Sequence, residues 1–288
     1  MKLLLENWKR YLKESEIVSY QQQLGDIETI AQDISDKIQE FMSDHGYDWL
    51  RQNARIVEKE IQDEIRKNFN RDITEAGSGS FRTVYMVDND YVIKVDSSMN
   101  GSGKQMNKED GEVGKNPKYS SIFPKALGIA PDGSWVILQK VHEIQDLMTL
   151  IALFPNKIIP PKIFGKFYTQ SLLSIALSYQ IATLQYDQNQ MDFHKYEYES
   201  MFKDYLVKDI GRDVTFEEFI KSWISPTFIT VAKAVIEYGL DVHEAVRPYN
   251  SGYVVEENGE KRFVILDSSV QKTVEAGLKA FNKPIRTI

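Results

Sequence analysis

The sequence predicts an α+β protein in which a small antiparallel sheet lies between helical segments. Apolar residues recur with helical spacing up to about residue 65 and alternate as in strands over 73–95 and 123–141. Helical spacing returns over 143–240. Two last apolar runs flank Asn258-Gly259, the strongest short-range signal for a hairpin. We therefore expect a sheet-containing segment followed by a mainly helical one.

Composition and charge narrow the class of protein. The chain has 288 residues, of which 42% are hydrophobic, enough for one large domain or two small ones. Its net charge of −7 argues against a general nucleic-acid binder or an anionic-membrane binder. No apolar run approaches the ~18 residues of a membrane span, and the first apolar run is too short for a signal peptide. Cysteine is absent, which fits an intracellular setting. Together with the charge and the short apolar runs, this leads us to expect a cytoplasmic protein without membrane or nucleic-acid partners.

The first 70 residues predict a helical extension. Residues 1–25 are polar and mixed, Asp26 is a plausible N-cap for the first helix, and Gly46 is a plausible stop. Apolar positions follow a helical period: Ile27, Ile30, Ala31, Ile34, Ile38 and Phe41, then Leu50, Ala54, Val57, Ile61 and Ile65. Two amphipathic helices with a short joint indicate an antiparallel helical hairpin, interpreted as a packing or partner-binding appendage.

A glycine-rich loop and a lysine carry the first chemical signal. The loop, between two strand-like segments, consists of Gly77, Ser78, Gly79 and Ser80. Glycines there allow a tight turn and let backbone N–H groups approach phosphate oxygens, although most such loops are ordinary turns. Lys94 follows within the apolar run Val92-Ile93-Lys94-Val95. A lysine in a strand commonly marks its outward face, so Lys94 is either a surface residue or a phosphate ligand.

The hairpin near the C-terminus carries the second signal. If Asn258-Gly259 is a two-residue loop, Asn250 lies directly across from Asp267, and opposed residues share one face of a sheet. An amide oxygen and a carboxylate so placed could share a hard cation such as Mg²⁺. Asp267 also ends an apolar run, where an unpaired carboxylate is costly. The alternative is a surface hairpin with two unrelated polar ends.

These features follow one another in an order that resembles the protein kinase-like superfamily. The matching residues are Gly77, Gly79, Phe81, Val84 and Lys94, which correspond to the glycine-rich loop and the strand lysine. In that family a helix glutamate pairs with the lysine. Glu112, which an apolar residue follows, is the expected partner, and Glu109 is the alternative. The resemblance implies a two-lobed fold with a small antiparallel-sheet lobe and a helical large lobe, which the N-terminal helical hairpin would precede.

The resemblance also implies an adenine pocket at the end of the small lobe. The run 135–141 looks like the strand that leads into the hinge. Leu138 would then limit the nucleotide pocket. Backbone groups near Gln139 and Val141 would face the adenine.

A catalytic loop is implied farther along the chain. Asp241 would orient the acceptor hydroxyl and accept its proton, and Asn250 and Asp267 would hold Mg²⁺. Asp241 precedes Asn250 by nine positions, where the family has five. The simplest account is an insertion of four residues within 244–249. Ser268-Ser269 replaces the usual Phe-Gly, as in atypical members.

The expected domains are a helical extension (1–70), a nucleotide-binding small lobe (71–141) and a helical large lobe with the catalytic loop and the metal-binding hairpin (142–288). The resemblance implies transfer of phosphate from ATP with Mg²⁺ to an unidentified protein or small-molecule acceptor. The alternative is a pseudokinase, a nucleotide-binding or scaffolding protein, which the long loop and the 21 residues after Asp267 favour. The opening residues and the compact core also look like bacteriophage-encoded proteins.

Overall fold

The computed structural model describes residues 2–79, 81–88, 90–144, 149, 153, 166–206, 215–223, 225–247, 250–256 and 258–266. The chain divides into two compact units. The first contains 1–115 and 125–140, and the second contains 116–124 and 141–288. The N-terminal helices therefore belong to the same unit as the sheet that follows them.

The first unit combines four helices with a five-stranded antiparallel sheet. Its helices are α1 (Lys2–His45), α2 (Tyr47–Gln52), α3 (Ala54–Phe69) and α4 (Ser102–Lys115). Its strands are β1 (Ile73–Ser78), β2 (Arg82–Val87), β3 (Tyr91–Asp96), β4 (Ala126–Ile129) and β5 (Trp135–Gln139), in the order β1-β2-β3-β5-β4. The predicted α+β class with a small antiparallel sheet is confirmed.

Helix α1 begins far earlier than predicted. Asp26 lies inside it instead of capping it, because the residues before Asp26 include many Leu, Glu, Lys and Gln, which favour helix. The predicted stop is confirmed: the helix ends at His45, and Gly46 has φ 83°, a left-handed conformation that glycine adopts readily.

Helices α1 to α3 cover one face of the sheet. All the predicted apolar positions from Ile27 to Phe41 are at most 8% exposed. They share one core with sheet residues: Ile73, Tyr85, Val87, Ile93, Val95, Trp135 and Ile137. The indole N–H of Trp135 also donates to Gln32 Oε1 on α1 at 2.9 Å. The helices interpreted from sequence as an appendage thus form half of the core of the first unit.

The described residues of the second unit are mainly helical, as predicted. Its helices are α5 (Lys166–Gln185), α6 (Gln188–Leu206), α7 (Phe216–Trp223), α8 (Pro226–Tyr238) and α9 (Val242–Ala245). A second sheet has the order β6-β7-β8, formed by β6 (His142–Glu143), β7 (Ser251–Val255) and β8 (Lys261–Ile265). Among the described residues, no helix is long and apolar enough to cross a bilayer.

Residues 116–124, which follow α4 in sequence, are held within the second unit. The N–H of Ile265 in β8 donates to Ile122 O at 2.8 Å. Tyr119 is buried and meets the ring of Tyr238 on α8 edge-on. Asn116 Nδ2 donates to the hydroxyl of Tyr238 at 2.7 Å. The segment therefore contributes to the core around α8 and β8.

The turn between β7 and β8 differs from the prediction. The N–H of Glu256 donates to Glu260 O at 2.9 Å, and the N–H of Gly259 donates to Glu256 O at 2.8 Å. Glu256 and Glu260 thus form the last pair, and three residues close the loop instead of two. Gly259 has φ 82°, as expected for the left-handed residue that completes a three-residue hairpin loop.

The longer loop shifts the strand register by one residue. Ser251 pairs with Ile265, and the N–H of Leu266 donates to Asn250 O at 2.8 Å. The predicted register, which placed Asn250 directly across from Asp267, is therefore wrong, because Leu266 lies opposite Asn250. A shift of one residue moves each side chain to the other face relative to its partner.

Candidate active site

Lys94 lies at the centre of the sheet face opposite helices α1 to α3. It is in β3, directly opposite Val84 in β2 and Val136 in β5. The residue is only 8% exposed. Its Nζ donates to Oδ2 of Asp110 at 2.7 Å. This burial excludes the alternative that Lys94 marks the outward face of the strand.

The acidic partner of Lys94 is Asp110 of α4, which corrects the sequence prediction. Asp110 is 5% exposed. Glu112 is exposed, and the half-buried Glu109 accepts a hydrogen bond from Gln105 Nε2 at 2.7 Å. Neither glutamate is the partner, because both lie off the buried side of α4.

Glycines explain why an aspartate can reach Lys94. Helix α4 turns small residues toward the interior: Gly103, Asn107, Gly111 and Gly114 are buried together with Asp110. A Cβ on Gly111 would lie 2.5 Å from Ile129 Cδ1 of β4. The helix therefore lies close to the sheet, and a side chain one methylene shorter than glutamate spans the gap. The sequence signal was the spacing of small residues rather than the apolar residue after Glu112.

Arg82 is the second site residue that sequence reasoning missed. It is 7% exposed at the start of β2. Its Nη1 donates to the same Asp110 Oδ2 as Lys94, at 2.6 Å. Charge-assisted hydrogen bonds of this length are stronger than neutral ones. The carboxylate of Asp110 thus joins the start of β2, the middle of β3 and α4.

The glycine segment forms a tight hairpin between β1 and β2. Gly77 and Ser78 belong to β1 and are exposed. The N–H of Gly79 donates to Arg82 O at 2.8 Å, and Ser80 lies outside the described residues. A Cβ on Gly77 would have no heavy atom within 4 Å. Internal packing therefore does not require glycine there.

Apolar side chains continue the Lys94 face toward the end of β5. Leu138 is 4% exposed and clusters with Ala126 and Val136. Leu138 also pairs with Val92 of β3. The N–H of Gln139 donates to Lys125 O at 2.9 Å, so this donor already has a partner. That the region around Gln139 faces adenine remains a prediction.

The remaining predicted hinge residue, Val141, belongs to the second unit. A Cβ on Gly252 of β7 would lie 2.3 Å from Val141 Cγ1. Glycine at 252 thus allows β7 to pass close to Val141.

Asp241 begins a one-turn helix in the second unit. Helix α8 ends at Tyr238, and Gly239 follows at φ 65°. Asp241 is exposed, and its carbonyl accepts the N–H of Ala245 at 2.9 Å. Ala245 is only 2% exposed. The segment between Asp241 and Asn250 therefore includes a helical turn, α9, with a buried contact of its own.

Asn250 closes this loop against the β7–β8 hairpin. Its N–H donates to Arg247 O at 3.0 Å, and its carbonyl accepts the N–H of Leu266. Ser251 Oγ donates to the same Arg247 carbonyl at 2.8 Å. Asp267, the predicted metal partner of Asn250, lies outside the described residues. The backbone thus brings Asn250 beside the residue that precedes Asp267.

No family model and no curated protein matches the chain. Several solved structures show a weak structural similarity to this chain. APH(2")-IIa in a ternary complex with streptomycin and ATP is 12% identical with a TM-score of 0.29, over 73% of this chain and 69% of that one. APH(2")-IIia with GDP and kanamycin is 13% identical with a TM-score of 0.28, over 72% and 71%. The GDP complex of aminoglycoside 2'-phosphotransferase-IIIa is 14% identical with a TM-score of 0.25, over 68% and 63%. Overlaps this low do not define a function.

Proposed function

We propose that the chain binds ATP with Mg²⁺ and transfers the terminal phosphoryl group to a hydroxyl acceptor. The observation that supports this most is the buried ion pair of Lys94 with Asp110, on the sheet face beside the glycine hairpin. Phosphoryl transfer needs little covalent help from a protein; it needs phosphates held in place and their charge neutralised. A lysine held by a buried carboxylate provides a positive charge at a defined position.

Residues of the five-stranded sheet and of the segment that follows β5 would bind the nucleotide. Backbone N–H groups at the tip of the β1–β2 hairpin would cover the phosphates, and Lys94 would contact the α- and β-phosphates. Val84, half-buried directly opposite Lys94, would cover one side of the adenine. Leu138 would limit the depth of the pocket, and backbone groups near Gln139 and Val141 would lie along the adenine edge.

Asn250 and Asp267 are the proposed metal ligands, and Asp241 is the proposed base. The side chains of Asn250 and Asp267 offer an amide oxygen and a carboxylate, the hard donors that Mg²⁺ prefers. Bound Mg²⁺ would neutralise charge on the phosphates. Asp241, exposed at the start of α9, would orient the acceptor hydroxyl and accept its proton. The acceptor would be a protein or a small molecule.

A second candidate function is a pseudokinase, which binds nucleotide or a partner without transfer. The helical turn α9 between Asp241 and Asn250 favours this alternative, because it lengthens the segment that would have to align base and metal. A pseudokinase that binds nucleotide would use the same Lys94 site, so it would differ from the enzyme in transfer rather than in nucleotide binding.

The test measures nucleotide affinity by calorimetry and transfer from radiolabelled ATP, with and without Mg²⁺. Lys94→Ala should weaken ATP binding while the fold is kept, because Arg82 still pairs with Asp110. Lys104→Ala is the matched control, because Lys104 is a partly exposed lysine of α4 that pairs with Asp132. Asp267→Asn should abolish the dependence of binding on Mg²⁺, since it removes the only carboxylate assigned to the metal.

Asp241→Asn separates the two functions. It should leave nucleotide affinity nearly unchanged and stop transfer, because its role concerns the acceptor. Nucleotide binding by the wild type without any transfer would favour the pseudokinase. No nucleotide binding by the wild type, with or without Mg²⁺, would rule out transfer from ATP and would leave only a pseudokinase that binds a partner.

A further inference from the structure

We infer that Arg82 is a positioning residue for the phosphate site, which ties the glycine hairpin to helix α4 and to Lys94. The inference rests on the proposed function, in which phosphates lie beside Lys94 under the β1–β2 hairpin. Arg82 would act through the hairpin and the lysine rather than by touching the reacting atoms.

Arg82 and Lys94 share one carboxylate oxygen of Asp110. Arg82 Nη1 and Lys94 Nζ lie 2.6 and 2.7 Å from one oxygen, Oδ2 of Asp110. The side chains of these residues are 4–10% exposed. Because both cations donate to one oxygen in a closely packed interior, removing Arg82 changes the position of the carboxylate that holds Lys94.

The backbone of Arg82 is part of the glycine hairpin itself. Its carbonyl accepts the N–H of Gly79 at 2.8 Å, which closes the hairpin. The same residue therefore holds the tip of the hairpin through its main chain and α4 through its guanidinium. A change in the guanidinium contact would pass directly to the backbone that is proposed to cover the phosphates.

The segment that leads from β3 into the first turn of α4 contacts the hairpin at a second point. Phe81 O accepts the N–H of Ser97 at 3.0 Å. Asp96 Oδ1 accepts from Ser98 Oγ at 2.6 Å, and Ser98 Oγ in turn accepts the N–H of Gly103 at 3.1 Å. A Cβ on Gly103 would lie 2.4 Å from Phe81 O and 2.3 Å from Asp96 Oδ1. Only glycine allows the helix to lie this close to the hairpin tip.

These contacts set the height of the hairpin over Lys94 before a nucleotide binds. Gly103 and Asp110 are about two helical turns apart on α4, so the hairpin is fixed at two separate points. Such preorganisation lowers the ordering cost of binding. The hairpin and Lys94 would face the phosphates rather than the adenosine. Loss of Arg82 should therefore weaken the binding of ATP more than that of ADP, and the binding of ADP more than that of adenosine.

The experiment compares the affinities of adenosine, ADP and ATP with Mg²⁺ for the wild type, Arg82→Gln and Arg82→Lys. Arg82→Gln should lose roughly ten- to a hundredfold in ATP affinity, the range for a hydrogen bond to a charged group. Its adenosine affinity should change less than about twofold. Arg82→Lys, which keeps the charge, should recover part of the loss. Gly103→Ala should likewise weaken ATP more than adenosine.

Arg71→Gln is the matched control. Arg71 Nη1 lies 2.6 Å from Asp88 Oδ2 just beyond the opposite end of β2, so its loss removes a second, partly exposed arginine–aspartate pair of the same strand region without moving the hairpin tip. It should leave the ratio of ATP to adenosine affinity unchanged.

Two results would overturn the inference. The first is that Arg82→Gln loses affinity for adenosine and for ATP by the same factor. The second is that Arg82→Gln is less stable to urea but binds both ligands with unchanged affinity. Either result indicates a merely structural role for Arg82. If Arg82→Gln does not fold, the same comparison with Arg82→Lys and Gly103→Ala decides. A wild type that binds no nucleotide would instead overturn the proposed function, and this inference with it.

Discussion

Lys94 Nζ lies 2.7 Å from Asp110 Oδ2, inside the first unit and on the sheet face opposite the N-terminal helices. An aspartate rather than a glutamate makes this contact because Gly111 lets α4 approach Ile129 of β4. The distance between helix and sheet, and not the length of the acidic side chain alone, therefore selects the partner of the lysine.

Replacing Asp110 should strongly destabilise the first unit. Asp110→Asn should lower the free energy of unfolding by about 3–5 kcal/mol, the cost of removing one partner of a buried ion pair. Glu112→Gln, at an exposed position of the same helix, should change it by less than about 0.5 kcal/mol. Urea denaturation measures both. Similar stabilities for the two variants would contradict the assignment of Asp110.

The N-terminal helices should be essential to the core. Ile34 of α1 is fully buried, and Ile34→Ala should cost about 2–5 kcal/mol because it leaves a cavity between the helix and the sheet. Ile56 of α3 is 51% exposed, so Ile56→Ala should cost less than about 0.5 kcal/mol. Thermal and urea unfolding compare the two. A mild effect at Ile34 would mean that α1 is an appendage after all.

Engineered disulfides can test the hairpin register. Val255 pairs with Lys261, and the neighbouring hydrogen-bonded pair is 256 with 260. Pair 255–261 is therefore a non-hydrogen-bonded pair with Cα atoms about 4.5 Å apart, within disulfide range. Val255→Cys with Lys261→Cys should crosslink on oxidation.

The matched control is Val255→Cys with Arg262→Cys, the pair that a two-residue loop would bring together. It should stay reduced, because residues 255 and 262 point to opposite faces in the observed register. The natural chain has no cysteine to interfere. Thiol titration and mass spectrometry read the outcome, and crosslinking of the control pair alone would restore the predicted register.

Glu75 should make stability depend on pH. Burial in β1, with a smaller contribution from the nearby charge of Glu58, raises the pKa of Glu75 above its usual 4.5. Its stabilising contribution is therefore complete below pH 4.5 and is lost as pH rises through the folded-state pKa. Glu75→Gln should gain stability relative to the wild type as pH rises through this range. Melting temperatures from about pH 4 to 8 test this; a relative loss with rising pH would contradict it.

The sequence by itself determined the local elements of this protein. The apolar period from Ile27 to Phe41, the strand around Lys94 and the stop at Gly46 are all present in the structure. These features depend on the spacing of neighbouring residues and on backbone conformations that favour glycine, so they can be recognised without knowing what packs against them.

Only the tertiary structure decided which residues meet. Asp110 is 16 residues from Lys94 and 28 from Arg82, and their contact depends on how closely α4 approaches the sheet. The hairpin register likewise depends on the backbone of one loop. Because this loop has three residues instead of two, Leu266 rather than Asp267 lies opposite Asn250. Side-chain partners across elements are set by distances between backbones, and these distances arise only when the elements pack together.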